Sequence, residues 1–173
     1  MLIYGSTLSG VPIIGLSSGG QIATTKKPVI DSTSLKIVGL MVEVGKDTSM
    51  ILMSQDIREY NAELILVNSE DDLIAADEII RLRPVIEQDF RVTGAQVKNE
   101  SEQSLGSVSE YTFDPKTFII QQLYVKPPLI KSLMNHNLVI ARQQIIEVAP
   151  PVIIVRDASL KEPAAAGQPA TLE

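Results

Sequence analysis

The chain has 173 residues, 45% of them hydrophobic and 21% charged, the balance of a globular protein and not of a disordered one. Aromatics make up 4%, and Trp and Cys are absent, so cores must be built mainly from Ile, Leu and Val, and disulfides, thiol catalysis and thiolate metal sites are excluded. The net charge is −6 and the isoelectric point about 4.9; with no Lys/Arg stripe interleaved with aromatics, this disfavours direct nucleic-acid binding. Residues 1 to 10 carry no basic segment followed by a long apolar one. The first apolar run, Val11 to Leu16, contains a Pro and is far too short to span a bilayer. The reading is a soluble, cytoplasmic protein.

In chain order the elements read as short strands between turns. An apolar run over 10–16 ends in the cluster Ser17-Ser18-Gly19-Gly20, and a strand follows over 21–30. Asp31 opens a turn in which its carboxylate can bond backbone amides, and 35–44 is β-branched and apolar. Residues 44–50 read as a short polar crossing, and 63–68 as another strand. Residues 69–90 hold seven carboxylates against two arginines. Ser69 and Asp72 have capping-box spacing, and Ile79, Leu82, Ile86 and Phe90 fall near helical spacing, with Pro84 forcing a start or a kink. One or two short helices are expected there. Strands follow over 92–98, 105–113, 118–126, 138–141 and 152–156, with a turn at Asp114-Pro115. The stretch 158–173 is Pro/Ala/Gly-rich and reads as a disordered tail.

The chain also matches itself. Shifted by 83 residues, 31–42 lies over 114–125, with identities at Asp31/Asp114, Ile37/Ile120, Leu40/Leu123 and Val42/Val125. Shifted by 88, 52–67 lies over 140–155, with identities at Gln55/Gln143, Ile57/Ile145, Glu59/Glu147, Ile65/Ile153 and Val67/Val155. Nine identities fall in 28 positions, where chance at average composition gives roughly one in 17. The expected organisation is a first repeat over 1–69, an acidic, partly helical connector over 70–91, a second repeat over 92–157 and the tail. Regularly punctuated short strands predict a mainly β protein of two small barrels, which also removes free sheet edges. Their apolar strand residues, Ile37, Leu40, Val42, Ile65 and Val67 with Ile120, Leu123, Val125, Ile153 and Val155, are the expected cores.

On Gly10, Ile13, Gly19, Gly20, Asp31, Leu35, Ile37, Val42, Ile57 and 65–67, and again on Gly94, Val97, Gly106, Asp114, Phe118, Ile120, Val125, Ile145 and 153–155, each repeat resembles a PRC-barrel domain. The resemblance covers about 1–69 and 92–157. The family includes the photosynthetic reaction-centre H subunit and the ribosome maturation factor RimM. It implies a scaffold that docks onto larger protein assemblies, with no catalytic residues and no cofactor. The chain lacks the membrane helix of the H subunit, and both halves look alike, unlike the two different barrels of RimM. A ribosome- or RNA-associated role resembling RimM is the alternative.

The residues with chemical potential are few. Gly15-Leu16-Ser17-Ser18-Gly19 fits the nucleophile-elbow pattern, but that turn needs a helix after it, and a β-rich segment follows. His136, flanked by Asn135 and Asn137, is the sole His and has no partner ligands for zinc. Glu70-Asp71-Asp72 lacks the glycine-containing calcium loop and reads as a capping turn. No catalytic, cofactor or metal residue is assigned. Two segments are candidates for binding a protein partner. One is the basic pair Lys26-Lys27. The other is Leu129, Ile130, Leu133 and Met134, in a connection richer in apolar residues than closure requires, which either folds back on the protein or marks a docking patch. Asp31 and Asp114 are assigned to structural turns.

Overall fold

The computed structural model describes residues 1–129 and 137–156. Fourteen strands form a single sheet, and the protein is mainly β. A short β1 (Ile3–Tyr4) leads through a 3-10 turn (Gly5–Leu8) into β2 (Pro12–Gly15), the long β3 (Gly20–Asp31) and β4 (Lys36–Val44). β5 (Asp47–Met53), β6 (Glu59–Tyr60) and β7 (Ile65–Val67) complete the first half. The connector contributes β8 (Leu73–Ala75), three 3-10 turns and the helix α1 (Arg83–Gln88). The second half holds β9 (Gln96–Asn99), β10 (Ser104–Asp114), β11 (Ile119–Lys126), β12 (Leu138–Ala141), β13 (Ile145–Ala149) and β14 (Val152–Val155).

The two halves share one pairing scheme. In each, the first strand pairs antiparallel with the long second strand and parallel with the last one: Ile13 faces Ala23 and Ile65, and Val97 faces Gly106 and Ile153. Ile30 faces Ile37 as Phe113 faces Ile120, and Leu40 faces Leu52 as Leu123 faces Ile140. Even the two bulges recur, at Thr25/Lys27 and Val29/Ile30 in β3 and at Val108/Glu110 and Thr112/Phe113 in β10. These pairs follow the separations of 83 and 88 residues found in the sequence, except Ile13 and Val97, which lie 84 apart. All ten aliphatics named as core are fully buried, in one cluster that runs through both halves.

Three expectations are corrected, and barrel closure is not seen in the strand pairing of the described residues. The halves are not separate sheets: β4 and β11 pair at their starts, with Lys36 opposite Ile119. Ile37 N donates to Phe118 O at 2.8 Å and Ile120 N to Leu35 O at 2.9 Å. Among the described residues no ladder joins β6 to β8, so the strand pairing alone does not close the first half into a barrel. The polar crossing over 44–50 is instead a β-hairpin. Gly45, at φ +60°, takes the first central position of a two-residue turn, and β5 pairs along β4. The strand expected over 92–98 begins only at Gln96, after a turn in which Ala95 N donates to Val92 O.

The connector and the amino-terminal segment hold the halves together. Ser69 and Asp72 form a capping box on a 3-10 turn (Glu70–Asp72), with Asp72 Oδ2 accepting from Asn68 N at 2.8 Å and Ser69 N at 3.2 Å. Pro84 sits in the first turn of α1, where its missing N–H matters least. Leu82 is buried with Val29, Ile51 and Met53, with Ile79 and Ile86 packed against them. At the other end, β1 crosses over to pair with β10, Ile3 facing Phe113 and Tyr4 facing Thr112. Gly5 lies against the Tyr111 ring; a Cβ there would overlap the ring at Cζ.

Because one core serves both halves, Ile37→Ala and Ile120→Ala should each lower stability by about 2–5 kcal/mol. Urea unfolding followed by circular dichroism and by Tyr fluorescence should give one coincident transition for wild type and for both variants. Gly5→Ala should destabilise by about 1–3 kcal/mol, because the new methyl overlaps a buried ring. Two separated transitions would contradict the shared core.

Candidate functional site

The Thr25/Lys27 bulge turns two consecutive side chains, Lys26 and Lys27, to solvent. They do not act as a pair. Lys26 is bound to Glu43 on the neighbouring β4. Lys27 reaches across to the connector, where its Nζ donates to Asp89 Oδ1 at 2.7 Å. Asp89 follows α1 in a left-handed conformation, φ +44°, and its second oxygen accepts from Arg91 Nη2 at 3.4 Å. The hydrogen bond from Lys27 is the main reason that the Asp89 carboxyl lies below its ordinary range; partial burial opposes it, and the charges of Lys27 and Arg91 add to the effect.

This triad stands at the edge of a groove between the halves. The groove has a volume of about 410 Å³, within the usual range for ligand clefts. Its floor is apolar, from Pro28, Ile30, Phe90 and Val92, and Ser6 and Thr93 stand on its rim. Tyr111 also lines it, 3% exposed, with no hydrogen bond to its hydroxyl among the described residues. Burial, with the nearby Glu110 carboxylate next, pushes that phenol up. Glu110 is tied down locally, its Oε1 accepting from Tyr111 N at 2.8 Å and Ser6 N at 3.3 Å. A second hollow of about 500 Å³ lies on the far side of Asp89 and Arg91, against Pro150 and Pro151. Residues 89–91 thus border both hollows, and the exposed Arg91 guanidinium is the most accessible charge on them.

The other singled-out residues lie elsewhere. Asp31 and Asp114 occupy matching turns: Asp31 Oδ1 accepts from Thr33 N at 3.0 Å and Asp114 Oδ1 from Lys116 N at 2.9 Å. Their carbonyls accept from Leu35 N and Phe118 N at 2.8 and 2.7 Å. Ser17 lies in the tight turn between β2 and β3, closed by Gly19 N donating to Gly15 O, so no helix follows it. Leu129 is 87% exposed. Ile130, Leu133, Met134 and His136 lie outside the described residues, as does the tail. No three His, Asp or Glu side chains among the described residues gather as metal ligands. Sequence reasoning missed Asp89, Arg91, Tyr111 and Gly5; the dense charge of the connector was the one visible hint of the first two.

No protein-family profile matches the chain, and no curated protein matches it. No helix among the described residues is long and apolar enough to cross a membrane.

Two outcomes check this arrangement. In carboxyl-detected NMR titrations, Asp89 should titrate below 3.8, its ordinary value, and move back up in Lys27→Ala. A depressed folded-state pKa stabilises the protein above the unfolded value, and that contribution is lost as pH falls through the folded one. Lys27→Ala should therefore destabilise slightly at neutral pH, within about 1 kcal/mol for an exposed ion pair, and have no effect once Asp89 is protonated. Ser17→Ala should leave stability within about 0.5 kcal/mol of wild type and remove no esterase activity.

Proposed function

We propose that the chain is a non-enzymatic interaction module, built of two PRC-like barrels that arose by duplication, which docks onto a larger protein assembly. The repeated ladder pairs support the duplication. In this reading each half is closed by side-chain packing around the shared core where a ladder is missing. The observation that carries the docking role is the groove at the junction. It has an apolar floor, an accessible guanidinium and polar groups on its rim, formed jointly by both halves and the connector. A surface with an apolar centre, a polar edge and an Arg is the composition that protein interfaces favour. The capping and turn roles of Asp72, Asp31 and Asp114 account for these polar residues without any reaction chemistry. With a net charge of −6, a protein partner suits the molecule better than RNA.

A photo-crosslinking residue at Thr93, on the groove, with the same residue at the exposed Lys116 as control, tests the proposal in the native host. The expected result is a defined protein adduct from Thr93 alone, lost in the Arg91→Glu background. Ribosomal proteins in the adduct, sensitive to nuclease, would favour the ribosome-associated alternative. Equal adducts from both positions would remove the groove from the interaction.

A further inference from the structure

The two halves differ at one sheet edge. In the first half β5 is covered by β8, antiparallel, with Leu52 opposite Leu73, Ile51 opposite Ile74 and Met50 opposite Ala75. β12 occupies the matching place in the second half and pairs with β11 on one side, but no strand lies on its other side among the described residues. At four residues it is short, but its sequence, Leu-Val-Ile-Ala, has no charge, no Pro and no bulge to protect the edge. Ala141 N donates to Gln144 Oε1 at 2.8 Å, so the edge amide there is already satisfied. Because antiparallel strands turn alternate residues to alternate neighbours, Val139 is the residue that presents both N–H and C=O outward. It occupies the place of Ile51, the central residue of the β5–β8 pairing.

We propose that the outer edge of β12 accepts an extended segment of a partner protein by antiparallel strand addition, and that this segment is apolar with an acidic residue just before it. β8 shows what fits. Leu73, 8% exposed, turns inward from its place opposite Leu52, and Asp71 and Asp72 precede it. Transferred to β12, the leucine lies opposite Ile140, where the template ladder ends, and the residue two places before it falls beside Arg142 in the 3-10 turn that follows β12. Arg142 supplies the charge complement. Its Nη2 donates to Ser34 O at 2.7 Å, while its Nη1 is buried and has no hydrogen-bond partner. A carboxylate that displaces the side chains covering it would supply a charge-assisted partner. Main-chain hydrogen bonds would give affinity, and the Leu and acidic positions selectivity. This surface is separate from the groove, so the two readings stand or fall independently.

The probe is a synthetic peptide with the sequence of residues 68–78, titrated into the full chain and followed by amide NMR. Saturable shifts centred on Val139 and Ile140 are expected, with slowed exchange of the Val139 amide. The same peptide N-methylated at the position of Ile74 lacks the central donor and should bind about tenfold more weakly or worse; this control leaves the protein unaltered. Arg142→Gln should weaken the acidic peptide but not one with Asp71 replaced by Asn. The proposal is overturned if the N-methylated peptide binds equally, if the shifts centre on Ile51, or if no saturable shift appears. It is also overturned if the Val139 amide is already protected in the free protein, or if a concentration-dependent dimer that Val139→Pro abolishes occupies the edge.

Discussion

Everything in this molecule is arranged around the short contact between the starts of β4 and β11. Lys36 pairs with Ile119, and the backbones of Leu35, Ile37, Phe118 and Ile120 exchange two hydrogen bonds across the join. The residues on either side are related by the same separation of 83, so the join pairs equivalent positions of the two halves. Leu35 and Phe118 both have positive φ, at 52° and 57°. For bulky residues that conformation is strained, at about 1–3 kcal/mol each. Both side chains are buried in the common core, which offsets the strain. The turns that create the strained residues are held by Asp31 and Asp114, so two hairpin turns that look merely local set the relation between the halves.

The scarce aromatic residues concentrate at the same place. Phe113 and Phe118 stack with ring centroids 5.7 Å apart, and Tyr60 of the first half meets both edge-on, at 5.7 and 6.1 Å. The Tyr60 hydroxyl lies 3.1 Å from Thr7 Oγ1, on the segment that carries β1 across to β10. Aromatic contacts add about 0.5–1.5 kcal/mol beyond burial. They do so here where two halves of some seventy residues, each marginal alone, must share one interior. The groove depends on this join: its walls are β3, the connector and the Gly5–Tyr111 contact, which come together because the halves are locked.

Much of the fold was legible because it is written in side chains. The apolar strand residues, the Asp turns and the offset matches all leave a periodic or repeated trace, and the buried aliphatics sit where that trace placed them. What escaped notice is what backbone or distance determines. β5 begins Asp-Thr-Ser and looks like a loop; it is a strand because β4 and β8 offer hydrogen bonds on both sides. β1 and β8, at two and three residues, are too short to show a period. The Asp89 pairing joins positions 62 residues apart, and nothing local distinguishes Asp89 from the other carboxylates of the connector. The pair Lys26-Lys27 looked like one feature in sequence, and the bulge beneath it sends the two ammonium groups to different partners.

The differences between the halves, more than their likeness, shape the groove. Lys27 occupies the place that Glu110 holds in the second half, and Pro28 the place of Tyr111. The long strands β3 and β10 expose the same edge, and each is covered differently. β10 is paired by β1 at Thr112 and Phe113. β3 at the equivalent Val29 and Ile30 is faced by α1, whose Val85 and Ile86 leave only a hollow of about 70 Å³. A strand fits flush against an edge through hydrogen bonds, whereas a six-residue helix touches it through side chains and cannot follow it to its end. The chain therefore leaves α1 beside β3 and returns to β9 through residues 89–91, with Asp89 and Arg91 exposed, Phe90 buried in the core and Asp89 held by Lys27. The groove is the space left where an edge covered by a helix meets one covered by a strand.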